Sequence, residues 1–202
     1  MKPEASFDIL FTLDRIKIAF PEVHMVELSS VIYLGYLLSV YDGITSDRWG
    51  YQFSQHKWGG PYGEDLAKTM EELTKAGYVN ESDGRVSITE ASAIILNTIK
   101  TLVNLQWRTK YLFAATDSVL SRTLPMALNA IQKEPMLSQM SSSNWRSLLG
   151  TGPSLDSLYE EVSALHQVLG ENANDIWMAS LTWLDYWKAI GDSEVEITES
   201  TI

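Results

Sequence analysis

The stretch from Phe53 to Ile88 constrains the fold of this 202-residue chain more than any other part. It begins with an apolar segment that ends at Gly59-Gly60-Pro61, and apolar residues at helical spacing follow. These residues are Leu66, Met70, Leu73 and Gly77, at positions i, i+4, i+7 and i+11. Alternating residues come next, with Asp83-Gly84 at their centre, a pair that tolerates the positive φ angles of a tight turn. The stretch therefore predicts a short amphipathic helix followed by a β-hairpin.

A helix followed by a hairpin, in this order, predicts a winged helix. Val23 to Tyr41 predicts the central helix of the same domain, because it is apolar on nearly all sides after Ser30. Trp49, Tyr51 and Phe53 alternate, which fits a strand, although a short helix also fits. Residues 1–22 could form either a short helix or a strand. The predicted fold class is mostly α with a small β-hairpin, with a winged-helix N-terminal domain over residues 1–105.

The second half of the chain predicts a helical region over residues 106–190. Thr151-Gly152-Pro153-Ser154 predicts a turn, and two apolar helical patterns follow it, separated by Gly170 and Asn172. Two helices in this arrangement indicate an antiparallel helical hairpin. Residues 191–202 are acidic and predict a flexible tail.

Composition excludes several classes of protein. The chain has no cysteine, which excludes disulfides, a thiolate nucleophile and cysteine-based metal sites. The longest uncharged run, Leu28 to Tyr41, has 14 residues, whereas a helix that crosses a bilayer needs about 20. The first residues lack the basic start and the unbroken apolar core of a signal peptide. We therefore expect a cytoplasmic protein that does not contact membranes.

Charge is unevenly distributed along the chain. The net charge is −11, with −9 in residues 151–202 and +3 in residues 105–150. The predicted helix after Pro61 carries four acidic residues and two lysines, and the hairpin offers Arg85 against Glu81 and Asp83. Because DNA phosphates repel carboxylates, this composition favours protein docking or a purely structural role over sequence-specific DNA reading.

The sequence contains no arrangement typical of catalysis. His24, His56 and His166 form no close pair and no HExxH pattern, so a metal site would need carboxylates from distant segments. The glycines of residues 59–63 lack the Lys and Ser or Thr of a phosphate-binding loop, and no serine lies in a GxSxG motif. We therefore expect neither enzymatic activity nor a bound cofactor or metal. An unrecognised hydrolase would need a pocket around His56 or His24.

The aromatic residues near the C-terminus suggest a contact surface. Four aromatic residues crowd one predicted helix, namely Trp177, Trp183, Tyr186 and Trp187, and one neighbouring helix cannot cover so wide an aromatic surface. We hypothesise that Trp183, Tyr186 and Trp187 anchor a partner, with packing in the core as the alternative. The positive charge of the preceding block suggests a second set of contacts, to a partner or to DNA. This set consists of Arg108, Lys110 and Arg146.

The run from Phe53 to Tyr78 reads F-x-x-H-K-W-G-G-P-Y-G-E-D-L-x-x-x-M-E-E-L-x-x-A-G-Y. It resembles small winged-helix proteins with the pattern F-x-x-x-x-y-G-P-y-S-x-x-L-x-x-x-L-x-x-L-x-x-x-G. This group includes YwgA-like proteins and the middle components of bacterial ABC three-component systems, of which Lamassu-type antiphage systems are an example. The match covers about 40 residues directly, and no catalytic residue can be carried over.

The resemblance implies a non-catalytic accessory subunit that bridges an SMC-like ATPase and an effector nuclease in antiphage or antiplasmid defence. DNA would then be contacted at most indirectly, through the complex. The alternative is a winged-helix DNA-binding transcriptional regulator or antitoxin. That alternative predicts salt-dependent binding to duplex DNA, weakened by substitution of Lys68, Lys75 and Arg85.

Overall fold

The computed structural model describes residues 2–55, 60–137 and 153–199. Most of them lie in α-helices, and a small antiparallel sheet accompanies the helices. The helices are α1 (Pro3–Ile16), α2 (Met25–Tyr41), α3 (Glu64–Lys75), α4 (Ala91–Lys100), α5 (Val103–Gln106), α6 (Thr109–Leu120), α7 (Leu124–Gln132), α8 (Pro153–Leu169) and α9 (Ile176–Glu199). The strands are β1 (Val23–His24), β2 (Ser54–Gln55), β3 (Pro61–Tyr62), β4 (Val79–Ser82) and β5 (Arg85–Ile88). The coarse prediction of a mostly α fold with a small β-hairpin is confirmed.

The N-terminal segment is a helix, which decides between the two interpretations left open by the sequence. Pro3 occupies the first turn of α1, where its fixed φ suits the helix and its missing N–H is not needed. Phe7 and Leu10 are fully buried on the inner face. The helix ends at Ile16, ahead of Pro21.

Helix α2 is the centre of the fold, as the sequence predicted. Every residue from Leu28 to Tyr41 is buried, and the helix packs against α1, α6 and α7. The Glu27 carboxylate accepts the His24 N–H at 2.6 Å, which satisfies one of the free backbone donors at the helix start. A helix with no polar side must be covered on all faces, and the helices from both halves of the chain cover it.

The hairpin forms where Asp83-Gly84 predicted it. Strands β4 and β5 are antiparallel, and Asp83 and Gly84 at their junction have φ of 52° and 73°. Positive φ at both central residues is the requirement of a type I′ hairpin turn. Strand β1 adds to the other edge of β5, with Val23 opposite Val86, so the sheet order is β1-β5-β4.

Helix α3 lies as predicted between Pro61 and Gly77. Leu66, Met70 and Leu73 are buried, which confirms the periodicity of the sequence. Gly77 ends the helix with a φ of 77°, and the Tyr78 N–H donates to the Leu73 carbonyl at 2.9 Å. A glycine in this left-handed conformation closes the helix and turns the chain directly into β4.

Of the two interpretations left open for residues 49–53, the strand does not form. Ser46–Trp49 form a short 3₁₀ helix instead, and Gly50 follows with a φ of 88°. Trp49, Tyr51 and Phe53 are nevertheless all buried. The alternation correctly indicated one buried side, but the side chains pack as an aromatic cluster around Tyr36 rather than in a sheet.

A single cluster of buried hydrophobic residues runs from α1 to α9 and crosses the predicted domain boundary at residue 105. The end of α2 illustrates the contact between the two halves. The Tyr41 hydroxyl donates to the Ala173 carbonyl at 2.6 Å, and the His166 ring stacks on the Tyr41 ring at a centroid distance of 4.2 Å. The His166 side chain therefore has a structural role, because it packs on Tyr41 where the two halves of the chain meet.

The predicted helical hairpin is present as α8 and α9, which the short 3₁₀ helix Gly170–Asn172 separates. Helix α9 continues to Glu199, so residues 191–199 have helical backbone where the sequence predicted a flexible tail. Residues 192–199 contain no glycine or proline that would end the helix. Residues 200–202 lie outside the described part of the chain.

Gly35 allows α2 and α6 to approach closely. A Cβ at Gly35 would lie 3.1 Å from Leu112 Cδ2 and 3.6 Å from Leu112 Cα. We expect Gly35→Val to lower the free energy of unfolding by about 1–3 kcal/mol, because the added methyl groups would push the two helices apart. We expect Gly35→Ala to change stability less, because it adds a single methyl group. The gain in helix propensity of up to about 1 kcal/mol offsets the crowding that this group causes. Urea denaturation measures both; equal stability of the two variants would contradict a close crossing.

Candidate functional site

The exposed side of α3 is acidic, and its lysines are paired within the helix. Lys68 Nζ lies 2.6 Å from Glu64 Oε1, and Lys75 Nζ lies 3.7 Å from Glu71 Oε2. Both pairs have glutamate four residues before lysine, the favourable order on a helix. The hydrogen bond that Lys68 donates to Glu64 and the negative charge of Glu64 raise the pKa of Lys68. Lys68 and Lys75, the two lysines of α3 that could bind a phosphate, thus already form ion pairs with carboxylates of their own helix.

The hairpin continues this acidic character. Its exposed end carries Glu81 and Asp83 against Arg85, and the His24 ring nitrogen Nδ1 lies 3.3 Å from the Gly84 carbonyl at the tip. Helix α3 and the hairpin together contain six acidic and three basic residues, a net charge of −3. We call the exposed residues of α3 and of the hairpin the α3–hairpin surface. Its charge suits a basic protein surface better than a nucleic acid.

A groove lies between α6 and the start of α9. Its volume is about 930 Å³, and its lining includes Trp107, Lys110, Phe113, Glu171, Asp175 and Trp177. We call it the α6–α9 groove. Two of its aromatic side chains remain open to solvent, since Phe113 is 44% exposed and Trp177 is 43% exposed. Large exposed aromatic side chains in a concave surface are typical of binding sites.

The charges of the groove are unequally engaged. Lys110 Nζ forms an ion pair with Asp42. Burial alone would raise the pKa of Asp42, but the hydrogen bonds that Asp42 accepts from Lys110 and Tyr111 outweigh burial and lower this pKa. Asp175 Oδ1 accepts the N–H groups of Trp177 and Met178 at 3.0 and 3.1 Å and so caps α9. Glu171 is exposed and contacts no cation among the described residues. The groove therefore presents two carboxylates beside Trp177.

The hypothesis that Trp183 and Trp187 anchor a partner needs correction. Trp183 is 1% exposed and Trp187 is 0% exposed, and their rings stack at a centroid distance of 5.3 Å inside the protein. This is the core-packing alternative, because α9 turns these side chains towards α2 and α7. Tyr186 is 52% exposed and stays available to a partner.

The three basic residues of the hypothesis have different positions. Arg108 is 0% exposed and cannot reach a partner or DNA. Lys110 lies at the rim of the α6–α9 groove with 55% of its side chain exposed. Arg146 lies outside the described residues. Of the residues that line the groove, the sequence therefore identified Lys110 as a candidate contact. It did not identify Phe113, and it indicated Trp177 only as one of the aromatic residues of its helix.

Arg108 holds together three segments that are distant in sequence. Its Nε donates to Asp8 Oδ1 at 2.8 Å, its Nη2 contacts Asp8 Oδ2, and its Nη1 donates to the Trp49 carbonyl at 2.8 Å. The Tyr51 hydroxyl also donates to Asp8. Burial raises the pKa of Asp8 against the opposing effect of Arg108. A bidentate pair with all these partners is structural and faces no substrate.

A second buried cluster contains two carboxyl groups. Glu134 Oε1 accepts the Met136 N–H at 3.0 Å, while Oε2 accepts the Leu137 N–H at 2.9 Å and the Tyr33 hydroxyl at 3.2 Å. Burial, followed by the charge of Glu161, raises the pKa of Glu134 to about 8.

Glu161 lies on α8 between Glu134 and the stacked indoles of α9. Burial raises the pKa of Glu161 to about 7, although the indole N–H groups of Trp187 and Trp183 lower it. Neither Glu161 oxygen reaches regular hydrogen-bond geometry with a described residue. Two carboxyl groups with raised pKa values can act as acid and base where a substrate reaches both. Glu134 is 0% exposed, so no substrate reaches this pair in the described arrangement.

Within residues 2–55, 60–137 and 153–199, no group of three or more His, Asp or Glu side chains is placed to hold a metal ion. His56 lies outside those ranges. Among the described helices, none combines the length and apolar character needed to cross a membrane. No family model, curated protein or solved structure matches the chain.

Proposed function

We propose that this protein is a non-catalytic, cytoplasmic accessory subunit that docks onto protein partners through the α3–hairpin surface. The observation that carries the proposal is the net charge of −3 of α3 and the hairpin. The two lysines of α3 already pair with Glu64 and Glu71 of the same helix. A surface of net negative charge attracts basic protein patches and repels DNA phosphates.

The order of the elements supports a winged-helix domain. Helix α1, strand β1, helices α2 and α3, and the β4–β5 hairpin follow one another, and β1 pairs with β5. The short β2–β3 ladder is an addition between α2 and α3, with Ser54 opposite Tyr62. Winged helices serve DNA recognition and protein docking alike, so the fold does not distinguish these two functions. We therefore base the choice between them on the surface charge.

The partners we propose follow from the resemblance of residues 53–78 to the middle components of ABC three-component systems. They are an SMC-like ATPase and an effector nuclease in antiphage or antiplasmid defence. By holding the effector against the ATPase until the ATPase engages foreign DNA, the subunit would couple DNA sensing to release of the effector. Such coupling requires that the subunit bind the two states of the ATPase with different affinity.

The first test is co-purification. The tagged chain is expressed in its native host and purified at moderate salt, and the proteins that stay bound are identified by mass spectrometry. Recovery of the ATPase and the nuclease in stoichiometric amounts is the expected result. If the chain is recovered alone, the bridging role is wrong.

The second test measures the role of charge. We expect Glu81→Gln with Asp83→Asn to weaken ATPase binding about 3- to 10-fold, because rim charge pairs contribute roughly 0.2–1 kcal/mol each. Both positions are exposed, and asparagine tolerates the positive φ at position 83. Glu90→Gln with Glu160→Gln removes the same charge from exposed positions outside α3 and the hairpin and is expected to leave the affinity unchanged. Salt-dependent binding of the isolated chain to duplex DNA, weakened by substitution of Lys68, Lys75 and Arg85, would replace the docking proposal with the DNA-binding regulator or antitoxin.

A further inference from the structure

The α6–α9 groove carries an aromatic and acidic surface that the proposed function does not use. Trp177 lies in the first turn of α9 with 43% of its surface exposed. Asp175 and Glu171 precede it in the chain and line the same groove. An open indole beside carboxylates is a favourable site for a planar cation, because the ring face attracts the positive charge and the carboxylates pair with it.

The protein already binds one guanidinium group in this manner at the adjoining position. Arg15 of α1 lies over the Phe113 ring, with Cζ 3.8 Å from the ring centroid, and its Nη2 contacts Asp117 Oδ1 at 2.6 Å. Phe113 is one of the groove residues. The contact shows that an arginine stacked on an aromatic ring and paired with a carboxylate fits the geometry of this surface.

The charge of the groove favours a basic ligand. Lys110 lines the groove, and its ammonium group pairs with Asp42. Asp175 uses one oxygen to cap α9, and Glu171 contacts no cation among the described residues. Two other rings of the groove already have an arginine over them, Arg48 over Trp107 and Arg15 over Phe113. Trp177 contacts no cation among the described residues, so its ring and the two carboxylates stay available to a basic ligand.

The size and the polar groups of the groove suit an extended peptide. A volume of about 930 Å³ lies within the range of about 300–1,000 Å³ that ligand sites occupy. Asn172 and Asn174 line the groove, and a side-chain amide can both donate to and accept from a peptide backbone.

We propose that the α6–α9 groove binds an extended, arginine-bearing segment of a protein partner, with a guanidinium group stacked on Trp177 and paired with Glu171. This deepens the proposed function, on which it rests, by assigning a second contact surface away from α3. Arginine suits the site better than lysine because its planar head both stacks on an indole and pairs with a carboxylate.

The test is calorimetric titration of the full-length chain with an acetylated and amidated hexapeptide that contains two arginines. We expect it to bind at least about 10-fold more tightly than the same peptide with citrulline, which keeps the shape and removes the charge. Trp177→Ala and Glu171→Gln are each expected to weaken arginine-peptide binding several-fold. The matched controls are Tyr159→Ala, an aromatic residue of α8 that is 45% exposed, and Glu160→Gln, an exposed acid of the same helix.

Equal binding of the arginine and citrulline peptides would overturn the proposal. So would equal effects of Trp177→Ala and Tyr159→Ala, which would show non-specific attraction to an acidic protein. If the ATPase and nuclease co-purify while the peptide results fail, the docking role stands and the groove assignment is wrong. If the peptide results hold while neither partner co-purifies, the bridging role is wrong and the groove binds an arginine segment of another protein.

Discussion

Arg108→Met is expected to lower the free energy of unfolding by about 3–5 kcal/mol, the cost of leaving one partner of a buried ion pair without the other. Asp8 is fully buried, and Arg108 contacts both of its carboxylate oxygens. Without the guanidinium, the carboxylate must either stay charged in an apolar interior or take up a proton. The Trp49 carbonyl also loses the donor that it meets at 2.8 Å.

Equilibrium urea denaturation at neutral pH measures this effect. Arg122→Met is the matched control, because Arg122 forms an ion pair with Asp185 at 2.6 Å at the surface. In that pair 65% of the Asp185 side chain is exposed to solvent. We expect that control to cost less than about 1 kcal/mol.

The double variant Asp8→Leu with Arg108→Met is expected to recover part of the stability, since no unpaired charge then remains in the core. Recovery should be incomplete, because the Tyr51 hydroxyl loses its acceptor. Equal losses for Arg108→Met and Arg122→Met would show that the buried pair does not stabilise the fold.

The parts of the fold that the sequence predicted correctly depend on local rules. The hairpin follows from Asp83-Gly84 alone, because two consecutive residues with positive φ permit one kind of turn. Helix α3 follows from apolar residues at helical spacing between a proline and a glycine. The burial of α2 on all sides follows from the lack of charge between Leu28 and Tyr41. None of these features needs knowledge of distant residues.

Arg108 shows what local rules miss. Its partner Asp8 lies 100 residues away in sequence, so nothing near Arg108 distinguishes a buried cation from an exposed one. The aromatic residues of α9 pose a related difficulty. Trp183 and Trp187 share one helix face with four-residue spacing, which indicates that something covers them, but α2 and α7 can do so as well as a partner. The groove brings α6 together with the α8–α9 connection, and that contact could not be read from either segment.

The second large effect concerns pH. Burial, with a further contribution from Glu161, raises the pKa of Glu134 to about 8, and burial raises the pKa of Glu161 to about 7. Both values lie well above the ordinary value of 4.5. The folded protein therefore holds protons that the unfolded chain releases between about pH 4.5 and 8. Because the folded state binds more protons, the stabilisation is complete below about pH 4.5 and is lost as the pH rises through 7 to 8.

We expect the free energy of unfolding to fall by about 3–5 kcal/mol between pH 5 and pH 8.5, since each pKa unit corresponds to about 1.4 kcal/mol and the two groups are coupled. Urea denaturation at half-unit pH intervals gives the profile. The upper part of that fall should lie near pH 7 to 8, where ordinary carboxyl groups no longer titrate.

Glu161→Gln separates this cluster from every other source of pH dependence. The amide mimics the protonated acid, so the variant should match the original protein at pH 5 and exceed its stability at pH 8.5 by about 1–3 kcal/mol. The neighbouring Glu160 is exposed on the same helix, and Glu160→Gln should leave the profile unchanged. A Glu161→Gln profile that parallels the original protein would show that Glu161 is already ionised without cost at neutral pH. The expected flattening would show that Glu161 of α8 and Glu134, which follows α7, form a carboxyl pair that must keep a proton in the folded protein.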